Sequence, residues 1–382
     1  MTKQEWWRIA ILFGVWLVFL TMVTFLADFF LPFKPSFPYA ENLREYALPG
    51  FLTKLAHFDG VHYLQISRFG YLGTGLIQAF FPLYPLLIAL LNQLVDNYLL
   101  SGLLISHFFT ALCFVSFYYL VKMDFGRRVA FTTLLIFALF SSSFFLRSLY
   151  GESLFLSIIF LSLISAKKGH YFLAGVLGAL ASATRVIGVF IWPSLLLLVW
   201  LREPRNLKAY LAVSLSGLGL AAYMYYLQIT FADPLYFFNL QREFGASRQT
   251  NLVLLPQVIY RYLNILWTAR PFDLKYYAYL QEFALSIFAL GVLLRASWLQ
   301  LKQKRRSQLL IYLLFAWLAY LLPPLTGNFS SMPRYLLSCF VIFIYLGSYF
   351  SRRPRKLILY LTISIILLII NIVLFSQGYW VA

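Results

Sequence analysis

The chain has 382 residues, of which 62% are hydrophobic, 20% aromatic and only 12% charged. A soluble domain is about half apolar and about a quarter charged, so this composition excludes a soluble globular protein and points to a polytopic membrane protein. The net charge of +18 does not imply a nucleic-acid partner. The basic residues lie in short clusters between apolar runs: "GRR" (126–128), "KK" (167–168), "REPRNLK" (202–208), "KQKRR" (302–306) and "RRPRK" (352–356). Cytoplasmic loops have this pattern.

In chain order the apolar segments are 9–27, 99–121, 129–147, 152–166, 171–187, 188–201, 209–231, 280–294, 308–325, 334–350 and 357–376. A span needs about 20 residues, so 152–166 and 188–201 must recruit flanking residues. The first run lacks a small-residue cleavage site and is expected to remain as an uncleaved span. Segment 79–95, "AFFPLYPLLIALLNQLV", decides the topology. If it only dips into the interface, nineteen Lys/Arg and three acids (Glu5, Asp124, Glu203) fall inside, and twelve Lys/Arg and ten acids outside. That is the asymmetry short loops show, and Pro82 and Pro85 agree with an interrupted segment. The expectation is one all-helical transmembrane domain over 1–382 with eleven spans and the N-terminus inside. Its external loops are 28–98, carrying interface-lying helices, and 232–279. Cys113 and Cys339 both lie in apolar runs, which indicates neither a disulfide framework nor a metal cluster.

This topology brings scattered charges to one face. Asp59 lies in "HFDGVHYLQISRFGY" (57–71), Glu152 in "SLYGESLF" (148–155), Arg185 in "SATRVIG" (182–188) and Arg334 in "SMPRYLL" (331–337). Asp59 suits a general base toward a hydroxyl, or an ordinary aspartate at a helix start. His62, three residues on, shares a helical face with it. The spacing of His57, Asp59 and His62 matches no standard metal-ligand pattern. Arg185 and Arg334 can snorkel. With Arg147 near Glu152, they can instead hold a phosphate through the guanidinium fork. Glu152 also fits a helix-start carboxylate favoured by the macrodipole. A base, a phosphate clamp and aromatic surface outside the membrane suit transfer of a sugar from a lipid phosphate to a hydroxyl.

"FDGVHYLQISRFGYLG…FFPLYP" (58–85) resembles the first-loop motif of PIG-V-type mannosyltransferases, GT-C integral-membrane glycosyltransferases. "SLYGESLFLSIIFLSLISAKKGHYFLAGVLGALASATRVIG" (148–188) and "SMPRYLLSCF" (331–340) resemble it too, in the family's order. The resemblance implies a GT-C fold and a mannosyltransferase of the kind that acts in GPI-anchor biosynthesis. It implies a polyprenyl-phosphate donor, dolichol- or undecaprenyl-phosphate mannose, and inverting, metal-independent transfer with no cofactor. The acid of the family's Trp-Asp pair matches Asp59, which carries over as catalytic base. Tyr-x-Glu matches Tyr150 and Glu152, Thr-Arg matches Thr184 and Arg185, and Pro-Arg-Tyr matches Pro333, Arg334 and Tyr335. With His62 and Tyr63, these make up the expected substrate- and phosphate-binding set. Two departures stand out: Phe58 replaces the Trp, and Gly60 stands where a small polar residue is common. They bear on the GPI-core acceptor more than on the chemistry. The implied partners are the lipid-linked sugar, a glycan or glycolipid acceptor and membrane lipids. The expected location is a prokaryotic cytoplasmic membrane, or the endoplasmic reticulum in a eukaryote, with the site extracytoplasmic or lumenal.

Two other classes fit the same residues. A transporter or flippase for a lipid-linked saccharide also needs many spans, but its charges tend to lie near the midplane and its sequence often shows inverted repeats. No repeat is visible here, and the charges gather at one interface. A non-catalytic scaffold would have no need of Asp59.

Overall fold

The computed structural model describes residues 1–243, 248–249, 251–271, 273–302 and 308–381. Residues 303–306 of the basic cluster at 302–306 therefore lie outside the described residues, as do 244–247, 250 and 272 of the loop expected at 232–279. Among the described residues there is no strand. The helices in chain order are α1 (Lys3–Leu26), α2 (Gly50–Thr53), α3 (Asp59–Phe69), α4 (Leu83–Val95), α5 (Tyr98–Ala138) and α6 (Glu152–Lys167). They continue with α7 (Tyr171–Thr184), α8 (Ile191–Arg202), α9 (Leu207–Ser214), α10 (Leu218–Phe231), α11 (Tyr236–Asn239) and α12 (Leu255–Thr268). The last are α13 (Leu274–Leu301), α14 (Leu309–Leu325), α15 (Met332–Tyr335), α16 (Val341–Phe350) and α17 (Pro354–Ser376).

Among the described residues, five stretches are long and apolar enough to cross a membrane: Lys3–Phe29, Tyr98–Ala138, Leu207–Phe231, Leu274–Leu301 and Pro354–Ser376. The protein is thus a multi-pass membrane protein. Shorter apolar helices occupy Leu83–Val95, Tyr171–Thr184, Val186–Arg202, Leu309–Leu325 and Val341–Phe350. At about 1.5 Å per residue, the 13-residue α4 is roughly 20 Å long, short of a hydrocarbon core about 30 Å thick. The expected spans 99–121 and 129–147 differ in form from the observed structure. They are two arms of α5 with no loop between them, meeting at Gly126 alone (φ 80°, ψ 173°). That backbone is open only to glycine, which is why the turn can be a single residue. The second arm ends at Ala138, and the Ser-rich stretch beyond it forms a tight turn at Ser143–Leu146.

The chain packs as two compact units. The first comprises Met1–Gly73, Tyr84–Ser157 and Leu346–Val381; the second comprises Thr74–Leu83 and Ile158–Tyr345. In the first, α1 starts with a reciprocal cap. The Thr2 hydroxyl accepts from Glu5 N, and the Glu5 carboxylate accepts from Thr2 N. The same carboxylate receives Tyr118, Lys122 and Arg127, tying α1 to both arms of α5. Farther along, Trp16 donates to Ala138 O at 2.6 Å and packs on Phe114 at 5.3 Å. In the second unit, Phe160, Tyr312 and Phe315 surround Phe340. There α7 and α9 approach closely at Gly175, where a β-carbon would fall 1.9 Å from Ala212 O.

Candidate active site

In the first unit the stretch around Asp59 forms a strained elbow entering α3. Phe58 has φ 57° and ψ −119°, a positive φ outside the usual range for a residue with a side chain. Such a conformation costs on the order of 1–3 kcal/mol and persists only when its surroundings hold it. Three contacts do so. The Tyr150 hydroxyl accepts from Asp59 N at 3.2 Å and donates to His57 O at 2.9 Å, bridging the elbow. Leu149 N donates to Leu55 O at 2.8 Å. The Phe58 ring packs against Phe37, Phe375 and Trp380 at 4.8 to 5.6 Å. The result is a half-buried Asp59 in the first turn of an 11-residue helix, with His62 one turn along on the same face. Burial lowers the pKa of His62, and the Asp59 charge opposes that shift.

His57 is 3% exposed and uses Nδ1 on Phe375 O at 3.0 Å, so the Nδ1–H tautomer fits. Burial pushes its pKa down from 6.5 to about 4, with the Phe375 carbonyl opposing and the Lys54 charge adding to the fall. The fold therefore holds the neutral ring. Between those two pH values the unfolded chain binds a proton that the folded chain refuses. Stability is full above pH 6.5 and is lost as the pH falls toward 4, by about 3 kcal/mol in all. Melting temperatures in detergent at neutral and acid pH are expected to show this loss, and to show much less of it in His57→Gln.

Other expected residues take supporting places. Tyr150 is 1% exposed, and its ring packs on Phe145 at 5.0 Å. Tyr63 is buried edge-on between Tyr84 at 5.0 Å and Tyr150 at 6.4 Å. Both therefore act beneath the elbow, as a strut and as its packing. Tyr150→Phe removes the bridging hydroxyl and leaves buried partners unmet, which costs about 1–3 kcal/mol. The expected result is a lowered melting temperature together with a fall in whatever activity depends on Asp59. Glu152 is buried at the first position of α6, where the helix dipole favours a carboxylate. Arg147, considered with Glu152 as part of a phosphate clamp, is buried and turned to α1. It donates to Thr21 Oγ1 at 2.8 Å, to Leu20 O at 2.9 Å and to Thr24. These bonds make the guanidinium a fastener between α1 and the turn that follows α5.

In the second unit two arginines gather on one aromatic ring. Arg185 ends α7 in an extended conformation, and its Cζ lies 5.3 Å from the Tyr335 ring centroid. Arg248 lies 6.0 Å from the same centroid, within cation–π range. Arg334 precedes Tyr335 in α15, and all three guanidinium charges act on the Tyr335 hydroxyl. Arg248 also donates to Gln241 Oε1 at 3.1 Å and to Ser330 O at 3.4 Å. Sequence reasoning missed Arg248, because "GASRQT" is a polar stretch with no apolar flanks to make an arginine conspicuous. Thr184 spends its hydroxyl on Leu180 O at 2.8 Å, and Pro333 is buried in the α15 turn. Among the described residues no three His, Cys, Asp or Glu side chains gather to hold a metal ion.

No family model matches the chain. It is 30% identical over 151 residues to GPI alpha-1,6-mannosyltransferase 2 of Cricetulus griseus, a match covering 37% of this chain and 30% of that protein. It is 30% identical over 212 residues to GPI alpha-1,6-mannosyltransferase 2 of Homo sapiens, covering 48% of this chain and 42% of that protein. The match thus spans less than half the length of either relative. These similarities agree with the likeness to PIG-V-type mannosyltransferases carried by the three motifs. Among solved structures, ArnT from Cupriavidus metallidurans bound to undecaprenyl phosphate aligns with a TM-score of 0.49 at 12% identity, over 99% of this chain and 77% of that one. The Archaeoglobus fulgidus oligosaccharyltransferase in complex with Zn and sulfate aligns with a TM-score of 0.46 at 14% identity, over 95% of this chain and 53% of that one.

Proposed function

We propose that this protein is an integral-membrane mannosyltransferase of the GT-C class. It moves mannose from a polyprenyl-phosphate donor to a hydroxyl of a glycan or glycolipid on the extracytoplasmic or lumenal side. The observation that carries this reading is the gathering of Arg185, Arg248 and Arg334 at Tyr335. Guanidinium groups bind phosphate oxygens through paired N–H donors and stabilise the charge that grows on a departing phosphate. The named activity of the sequence relatives supports mannose as the sugar.

Each part of the reaction has its own support. The acceptor hydroxyl must lose a proton as it attacks the sugar carbon, and Asp59 is the candidate base. Its half-buried place on a pinned elbow keeps it accessible and oriented. The new glycosidic bond forms as the bond to the lipid phosphate breaks, which inverts the anomeric carbon in one step. The proton goes to the Asp59 carboxylate, and the polyprenyl phosphate leaves as an anion. No metal or cofactor is required by this scheme.

The test is transfer from radiolabelled polyprenyl-phosphate mannose in membranes containing the protein, against membranes lacking it and against the corresponding glucose donor. Label entering a new product from the mannose donor alone is expected. Absence of any labelled product, with donor binding retained, would remove the transferase reading in favour of a carrier of the same lipid.

A further inference from the structure

Glu282 is an acid within α13, a helix long and apolar enough to cross a membrane, and it is 1% exposed. Burying a carboxylate there is costly unless it is hydrogen bonded, so its partners indicate what it does. Its Oε2 accepts from the Tyr262 hydroxyl of α12 at 2.7 Å. Its Oε1 accepts from the backbone N–H of Ser331 at 3.2 Å. The Tyr262 hydroxyl in turn accepts from Phe329 N at 3.1 Å. One carboxylate and one phenol thus hold two backbone donors of the segment that leads into α15.

That segment needs holding. Ser331 sits at φ 63°, in the left-handed region that a serine adopts only under constraint, and it caps the turn that carries Arg334 and Tyr335. On its other side Gln249 N donates to Thr326 O and Val253 N to Leu325 O, at 2.8 and 3.0 Å. Arg261, next to Tyr262, donates to Gly327 O at 3.1 Å. A slip at Ser331 would rotate the turn and move both side chains. A carboxyl oxygen accepting from its N–H fixes the backbone at that point.

We infer that Glu282 is a positioning residue. With Tyr262 it locks the backbone at Ser331 so that the turn holds Arg334 and Tyr335 in the arrangement that binds the phosphate of the lipid donor, an inference that rests on the phosphate role proposed above for these arginines. Nothing in the sequence singles it out, because "YLQEFALSIF" reads as one more span with an isolated acid.

The experiment compares binding of a polyprenyl phosphate and of the corresponding polyprenol, which lacks the phosphate, to the purified protein. The variants are Glu282→Ala, Tyr262→Phe, Arg185→Ala and Arg334→Ala. The expected result is that Glu282→Ala and Tyr262→Phe weaken polyprenyl-phosphate binding about ten- to a hundredfold and leave polyprenol binding unchanged. Equal weakening of both lipids would show a merely structural role and overturn the inference. So would wild-type binding by the Glu282 and Tyr262 variants while Arg334→Ala weakens it. Wild-type polyprenyl-phosphate binding by both arginine variants would instead remove the phosphate role, and the inference with it. If Glu282→Ala does not fold, Tyr262→Phe decides alone, since it removes one oxygen and keeps the ring.

Discussion

Asp59→Asn is expected to lower the rate of mannose transfer about a hundred- to ten-thousandfold while donor binding is retained, the range that a positioned general base supplies. The carboxamide has nearly the same shape but cannot take up the acceptor proton. The elbow should survive the change, because the bond from Asp59 to the Tyr150 hydroxyl is made by the backbone N–H. Loss of the charge from the first turn of α3 costs only about 0.3–1 kcal/mol of dipole stabilisation, too little to unfold the helix. Initial rates with labelled donor, read beside equilibrium donor binding, separate the outcomes. Equal transfer by wild type and variant would remove Asp59 from the mechanism. Loss of binding along with transfer would move it from base to donor site. Full movement of label across the membrane with no new glycosidic product would fit a flippase, which needs no base.

Arg334→Lys and Arg185→Lys are each expected to slow transfer about ten- to a hundredfold although the positive charge is kept. Lysine offers a point charge on a flexible stem, whereas the guanidinium presents a planar fork and lies flat over an aromatic face. Arg185 and Arg248 both lie within cation–π range of the Tyr335 ring, so Arg248→Lys belongs to the same series. The defect should fall on the phosphate-dependent part of binding and catalysis. Wild-type kinetics in the Arg185 and Arg334 variants would remove both from the phosphate site. A loss confined to Arg248→Lys would assign the contact to the residue that sequence patterning did not reveal.

The sequence by itself determined the class of protein and the local placement of its candidate base. Span-length apolar runs reflect the thickness of a bilayer, and the helix period puts Asp59 and His62 on one face whatever surrounds them. Gly126 marks the bend of α5 in the same local way, although the apolar pattern around it suggested a loop rather than a one-residue turn. The tertiary structure decided what the polar side chains touch. Tyr150 reaches the elbow across 91 positions of chain, and Arg147 reaches Thr21 across 126. In their motifs both read as ligand groups; in the fold the Tyr150 hydroxyl bridges the elbow and Arg147 is hydrogen bonded to α1. Arg248 and Glu282 gave no local signal, since one lies in a polar stretch and the other in an apolar helix. Their significance comes from the Tyr335 ring and the Ser331 N–H, which lie far along the chain. Periodicity and composition are set by neighbours within a few residues. The choice of partner for a buried polar group is set by desolvation, which only the packed chain defines.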